Sequence, residues 1–353
     1  VRVDKVLCGS YIGLLAMGLL MSVTSAGCSW PRHLLWVILG IGAFIGASLL
    51  DYHVLKGYAL TLYGFLIAAL VLVLVVGSFT RGTRAWFNLG ILKAQPSELG
   101  KVVLIVALAY MVSELRGEID LENLKRLVLF AGVPCFLVLI EPDLGQTLVY
   151  LVVFVGVLLF GGVRAKHLAV MAVVGAVLAI AAFSSPLVAE YQRQRLTVFA
   201  SQDTARTYQN PVAYNLAQSK IAIGSGGWLG KGFSKATQTK LAYVPEQCTD
   251  FIFTAIGEQL GFVGATLVIA LYALLCWRLL RTASVSRELF GALIAGGTCL
   301  MMMFHVFENA GMTMGIMPIT GIPLPLLSYG GSSMLATSAA LGISHSVYLR
   351  RFA

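Results

Sequence analysis

Tyr58-Ala-Leu-Thr-Leu-Tyr-Gly-Phe-Leu-Ile-Ala-Ala-Leu-Val-Leu-Val-Leu-Val-Val-Gly-Ser78 contains no charged residue, and the nearest ones are Lys56 and Arg81. A helix of about 20 apolar residues covers the hydrocarbon core of a bilayer, so this stretch reads as a membrane span. Runs of the same kind recur along the chain. The sequence predicts spans at about 6–26, 33–50, 58–78, 97–115, 124–140, 143–162, 167–185, 251–277, 288–308 and 329–348. The composition agrees: of 353 residues 58% are hydrophobic and only 12% charged, against about 25% charged in a soluble domain. The expected fold is therefore an all-α polytopic membrane protein of about ten transmembrane helices in a single domain, 1–353, with a large loop at about 186–250 between the seventh and eighth. The first run, Val6 to Ala26, leads into a second span with no small-residue cleavage site, so it reads as a transmembrane helix and not as a signal peptide.

Basic residues set the expected orientation. Lys56, then Arg116, Lys125 and Arg126, then Arg164 and Lys166, then Arg278, Arg281 and Arg287 fall in alternate connections. Arg2, Lys5, Arg350 and Arg351 at the termini join the same side, which the positive-inside rule makes cytoplasmic. Both termini then lie inside, and the irregular segments 78–96, 141–143, 186–250 and 310–328 face outward. Long translocated loops are exempt from the charge rule, so Arg193, Arg195, Arg206, Lys220, Lys231, Lys235 and Lys240 in the 186–250 loop are compatible with that topology. The net charge of +9 comes with no aromatic-interleaved basic motif, which argues against nucleic acid and for anionic lipid.

Charged residues in or beside spans are costly and mark functional candidates. Glu98 and Lys101 stand three apart on one helix face, either as a local ion pair or as a cation that Glu98 aims into an outward-facing cavity. Asp250 directly precedes an apolar run, where an aspartate often caps a helix; Thr249 could cap instead and leave Asp250 free. Glu258 lies two turns deeper and must pair with a cation or stay protonated. His305 and Glu308 read as a polar helix contact, since no further histidine completes a metal site. The glycines around Trp228 predict backbone that turns sharply or lies close to a ligand. The run from Gly321 to Gly331, with Pro323 and Pro325, cannot be regular helix and must be buried in protein or line a cavity. The six cysteines are scattered without metal-ligand spacing; Cys28 and Cys248 share the outer side, yet spacing alone favours leaving them unbridged.

Several segments together resemble the SEDS family of bacterial shape, elongation and division proteins. They are Gln95-Pro96-Ser97-Glu98 with Lys101, Glu141-Pro142-Asp143-Leu144-Gly145, Tyr191-Gln192-Arg193-Gln194-Arg195 and Gln218 to Gly227. Thr249-Asp250-Phe251-Ile252-Phe253, Asn309-Ala310-Gly311-Met312 and the Gly321 to Gly331 run ending Leu327-Ser328-Tyr329-Gly330-Gly331-Ser332 complete the series, in the family's order and on its ten-helix plan. The block 191–195 and residues 232–241 look more like the elongation branch, RodA, than the division branch, FtsW. Two features depart from the pattern: Cys248 stands where the family commonly has His, and 201–211 replaces an Asp-Pro-rich stretch.

The resemblance implies a peptidoglycan glycosyltransferase of the bacterial cytoplasmic membrane that polymerises lipid II, the undecaprenyl-diphosphate-linked disaccharide peptide. It also implies a class B penicillin-binding protein as crosslinking partner, among other membrane proteins of the elongation complex. Asp250 matches the family's essential acidic position. In the chemistry so implied, the carboxylate takes the proton of an attacking sugar hydroxyl. One inversion converts the α-linked donor to a β-linked product, with no second carboxylate as nucleophile. Lys101, Arg193, Arg195 and Lys220 are the expected cations for the leaving diphosphate, with a divalent cation (Mg or Mn) as an optional helper. Glu98, Ser328 and Tyr329 are expected beside them. The rival readings are a lipid II flippase and a non-catalytic scaffold; a carrier should hold its site near the midplane, whereas these polar groups gather at one face.

Overall fold

The computed structural model describes residues 3–80, 83–89, 92–115, 119–184, 190–201 and 210–351. Ten long helices stand where the ten spans were expected. They are α1 (Lys5–Thr24), α2 (Trp30–Leu49), α3 (Tyr52–Val76), α4 (Pro96–Glu114), α5 (Leu121–Ile140), α6 (Leu144–Phe160) and α7 (Ala165–Ser184), then, beyond the large loop, α12 (Ile252–Val285), α13 (Leu289–Met314) and α14 (Gly331–Leu349). Seven of them are long and apolar enough on their own to cross a membrane, and α6 and part of α7 are shorter apolar helices. α14 carries six serines and threonines, and nearly all of it is buried against its neighbours. Bulky residues such as Phe65 and Val75, about 70% exposed on α3, are the lipid-facing surface of such a bundle. Of the seven helices long and apolar enough to span alone, α4 and α13 are the most enclosed.

Small residues let the helices approach closely. A Cβ on Gly342 of α14 would lie 2.5 Å from the Phe44 carbonyl oxygen of α2, and one on Gly18 of α1 would lie 2.8 Å from the Leu327 backbone.

Two connections are more ordered than the sequence suggests. Between α3 and α4, β1 (Ser78–Thr80), β2 (Thr83–Leu89) and β3 (Leu92–Ala94) form a three-stranded antiparallel sheet. The described part of the large loop is mostly helical, with α8 (Glu190–Ser201), α9 (Pro211–Gly226), α10 (Gly232–Lys235) and α11 (Thr237–Lys240). Arg2, Arg116 and Arg206, used above for charge placement, lie outside the described residues, as does most of 201–211.

The glycine cluster around Trp228 packs against the protein's own backbone. Helix α12 breaks at Gly261, with φ +66°, and the connection after α9 fills the break. Gly227 O accepts the Phe262 amide at 2.9 Å, Trp228 O that of Val263 at 3.1 Å, and Glu258 O that of Lys231 at 2.9 Å. The break thus leaves these polar groups satisfied, as apolar surroundings require. Side chains would not fit there: a Cβ on Gly230 would sit 2.2 Å from Gln259 O. Glu258 takes the paired alternative. Its carboxylate faces Lys231 Nζ at 3.2 Å and accepts the Gln238 amide (3.0 Å), the Thr239 amide (2.8 Å) and the Thr239 hydroxyl (2.6 Å).

The run from Gly321 to Gly331 is buried, non-helical backbone held by side chains. Ser328 Oγ accepts the Leu324 amide at 2.8 Å, and the Tyr272 hydroxyl donates to Pro325 O.

Candidate active site

The α1–α2, α5–α6 and α13–α14 connections and the large loop meet at one end of the bundle. Gln192 on α8 donates to Pro142 O at 2.7 Å, Arg195 Nη1 donates to Thr320 O at 2.8 Å, and the Ala26 amide donates to Thr239 O at 3.3 Å. Asp250 lies at this end, in a turn where Glu246 O collects the amides of Thr249, Asp250 and Phe251 at 3.1–3.3 Å. Asp250 is not the N-cap of α12: that position is Phe251, and no side chain caps the helix. The carboxylate is therefore not consumed by helix capping. Asn309 of α13 fixes the backbone behind it, its Nδ2 donating to Asp250 O at 2.7 Å and to Ile322 O at 2.8 Å.

Gly321 shows where the acidic and basic groups meet. A Cβ there would lie 3.2 Å from Arg195 Nη1 and 3.3 Å from Asp250 Oδ2. Its φ of +77° already favours glycine, and the crowding adds a second reason. Asp250 and Arg195 are both partly exposed, so the pair sits at the rim of the bundle rather than in its core. Arg193 lies on the same short helix, two residues before Arg195. Lys220 is exposed on α9, beside Ser219, which pins that helix through Thr254 Oγ1 (2.6 Å) and Thr313 O (2.8 Å). Tyr329 joins the site through its backbone, its amide donating to Cys248 O at 2.8 Å.

Glu98 and Lys101 are in a different setting. Lys101 Nζ lies 2.6 Å from Glu98 Oε2, with both side chains at most 4% exposed. It also lies 3.2 Å from His305 Nε2. Because His305 Nδ1 faces the Met301 carbonyl at 2.8 Å and must donate to it, Nε2 is the acceptor for the lysine. Of the two readings of this pair, the structure takes the local ion pair: the ammonium is enclosed, not presented to an outward cavity. Gln146 Nε2 donates to the other oxygen of Glu98. Asp143 accepts from the Gln146 amide at 3.0 Å and from Gln95 Nε2 at 2.9 Å.

This buried network reaches the rim. A Cβ on Gly145 would lie 3.0 Å from Thr320 O, which accepts from Arg195, and 3.6 Å from Asp143 Oδ1. Burial pushes the Asp143 carboxyl above its usual range. Glu141, fully buried with neither oxygen hydrogen-bonded among the described residues, is pushed up to about 8 by burial and then by the charge of Asp143.

Cys28 and Cys248 form a disulfide, with Cα atoms 5.6 Å apart. The unbridged expectation is therefore wrong. Two single cysteines 220 residues apart carry no spacing signal, and only the docking of the α1–α2 connection onto the large loop brings them within bonding range. The roles of Asn309, Gly321 and Gln192 were also not assigned from sequence, whereas His305, read as a polar helix contact, makes that contact with Lys101 of α4. Asn309, Gly321 and Gln192 lie within the motif segments, which was the available signal. Among the described residues no group of three or more His, Cys, Asp or Glu side chains could cage a metal ion.

The family profile described as "Cell cycle protein", FtsW/RodA/SpoVE, matches residues 11–351. The peptidoglycan glycosyltransferase MrdB of Escherichia coli K12 is 35% identical over 321 residues, 89% of this chain and 84% of its own. A probable peptidoglycan glycosyltransferase FtsW of Coxiella burnetii is 37% identical over 352 residues, 94% and 92% of the two chains. A chain from a peptidoglycan synthase complex, solved in a study of coordinated polymerization and crosslinking, superposes with a TM-score of 0.86 at 32% identity, covering 100% of this chain and 99% of that one. RodA of Thermus thermophilus gives 0.76 at 31% identity with the same coverage. On sequence, on family profile and on the course of all ten long helices, the chain belongs to the FtsW/RodA/SpoVE family, the SEDS family that its motifs resemble.

Proposed function

We propose that this chain is the peptidoglycan glycosyltransferase that extends glycan strands from lipid II during cell elongation, releasing undecaprenyl diphosphate. The observation that carries the reading is the meeting of the Asp250 carboxylate and the Arg195 guanidinium over Gly321 at the rim of the bundle. A sugar hydroxyl and a diphosphate-bearing lipid both reach such a place, the one from water and the other from the bilayer.

The acceptor 4-hydroxyl oxygen forms a bond to the anomeric carbon of the donor while the bond from that carbon to the phosphate oxygen breaks. The departing electron pair goes to the diphosphate, and the hydroxyl proton passes to Asp250. Attack from the face opposite the leaving group inverts the α-linked donor to a β-linkage in one step. Arg195, with Arg193 and Lys220 along the large loop, balances the charge that grows on the diphosphate; a guanidinium suits this because its forked donors match phosphate oxygens. Where a divalent cation takes part, one carboxylate and the substrate's phosphate oxygens would hold it, the usual mode for Mg²⁺. Lys101 and Glu98 act indirectly, by fixing the 141–146 turn that Gln192 and Thr320 lean on.

The site faces the exterior in this reading and both termini face the cytoplasm. The basic connections support that orientation, as does a disulfide at the site end, since such bonds persist on the oxidising side of a membrane. A class B penicillin-binding protein is the proposed partner that crosslinks the product. Position at the rim rather than the midplane disfavours the flippase reading. Purified chain, with and without that partner, should convert lipid II to glycan polymer in detergent or lipid nanodiscs. Transport without polymer, or binding of the partner without either activity, would overturn the reading.

A further inference from the structure

The disulfide joins the α1–α2 connection to the residue two before Asp250. Its two ends are held differently. On the Cys28 side, the Thr24 hydroxyl donates to Gln259 Oε1 at 2.7 Å and the Ala26 amide to Thr239 O at 3.3 Å. The end of α1 is thus tied to α12, and the α1–α2 connection to Thr239 of α11, which Glu258 of α12 holds in turn. His33, in the first turn of α2, also packs edge-on to the Tyr329 ring with centroids 6.0 Å apart. On the Cys248 side, the Tyr329 amide donates to Cys248 O and Asn309 Nδ2 to Asp250 O, and Val244 and Phe251 at the two ends of the turn pack against Leu216, Met312 and Ile319. Hydrogen bonds at a partly exposed rim open easily, whereas the disulfide fixes the turn covalently to a docked post.

We infer that the Cys28–Cys248 disulfide is a positioning element for Asp250, so that catalysis by this chain depends on the oxidised state of that bond. The inference rests on the glycosyltransferase reading for its catalytic part; the claim about the turn itself does not. Misplacing a base by about an ångström costs up to roughly a hundredfold in rate. With the turn's hydrogen bonds and the packing of Val244 and Phe251 still in place, the expected loss is smaller, about tenfold in kcat, with KM for lipid II little changed because the cations lie on α8 and α9.

The test uses the full chain in lipid nanodiscs. Dithiothreitol supplies two electrons and two protons, converting the S–S bond to two thiols while it closes to its own cyclic disulfide; a maleimide mass shift counts the thiols. The reduced protein, Cys28→Ser, Cys248→Ser and the double variant should share one lowered kcat, and dithiothreitol should affect only the wild type. Reoxidation should restore the rate. In parallel, amide hydrogen exchange at 246–251 should quicken about tenfold on reduction while exchange in the middle of α13 stays unchanged. Unchanged exchange at 246–251 overturns the inference whatever the activity does. Faster exchange there with an undiminished kcat overturns its catalytic part. A drop in thermal stability alone, with kcat per folded molecule intact, reduces the bond to an ordinary staple and also overturns it. Oxidised wild type that makes no polymer counts against the glycosyltransferase reading, and the exchange experiment still decides the positioning claim.

Discussion

The two ends of this helical bundle treat charge in opposite ways. At the end holding the chain termini, Asp4 and Arg278 are both buried and closed on each other at 2.6 Å. Asp4 also caps α1 through the Val6 and Leu7 amides, and the Arg278 guanidinium lies 5.5 Å from the ring centres of Trp277 and Tyr348. At the other end, Asp250 and Arg195 meet at a partly exposed rim over Gly321, beneath which Asp143, Gln146, Glu98, Lys101 and His305 form a chain of contacts. One end has the marks of a clamp. The other has charged groups where substrate can reach them, and a carboxyl, Glu141, buried without a hydrogen bond among the described residues. Charge inside a membrane protein is thus a weak indicator of function until its partners are known.

The contrast can be broken by substitutions, ordered here by their effect on polymerisation. Asp250→Ala should cause the largest loss. A positioned base contributes about 10²–10⁴-fold, so lipid II turnover should fall to the detection limit while thermal stability and partner binding hold. Polymer of near-normal yield would remove Asp250 from the chemistry. Arg195→Lys keeps the charge but loses the fork that bonds Thr320 O and lies over Gly321; we expect about a tenfold lower kcat/KM. An unchanged value would mean that the guanidinium serves only the loop.

Glu141→Gln should leave polymerisation at neutral pH within about twofold and change the pH dependence of stability instead. With its carboxyl pushed up to about 8 from an ordinary 4.5, Glu141 keeps a proton in the folded protein that the unfolded chain has already lost. The stabilisation is complete below about pH 4.5, declines as pH rises toward 8, and changes no further above that. The amide cannot titrate, so the variant should be the more stable protein at pH 9 and equal to wild type at pH 4. The difference is at most on the order of 5 kcal/mol, at about 1.4 kcal/mol per unit. Parallel thermal-unfolding midpoints across that range would show that Glu141 is not buried as a neutral acid.

How much of this was legible in the sequence follows the same division. Ten spans could be placed because a bilayer imposes a length on each apolar run, and the structure moves most of their ends by only a few residues. The exceptions are informative: α12 runs to Val285, past Arg278, which is paired with Asp4, and α13 runs to Met314, past Asn309 and Thr313, which are buried in the protein rather than facing lipid. Asp250 was legible as a motif residue. Arg195 was legible too, as a cation for the diphosphate; its approach to Asp250 over Gly321 was not, since the two are 55 positions apart and meet only through tertiary docking of α8. Lys101 shows where sequence left two readings open. Its ammonium could pair with Glu98 or enter an outward cavity, and Glu98, three residues away, with His305, 204 residues away, encloses it. The disulfide was missed for the same reason as the Arg195 contact.

The last substitution tests the clamp itself. Arg278→Ala should have no effect on turnover per folded molecule, because Arg278 is at the far end from the α5–α6 and α13–α14 connections that build the site. It should nonetheless destabilise the protein, by about 3–5 kcal/mol, because it leaves Asp4 buried without its countercharge. Adding Asp4→Asn should recover most of that loss: the amide oxygen can still accept from the Leu7 amide, and no charge remains to be compensated. If the single variant instead lowered kcat and the double variant restored it, the two ends would be coupled through the bundle. The terminal clamp would then have to be counted as part of the catalytic apparatus.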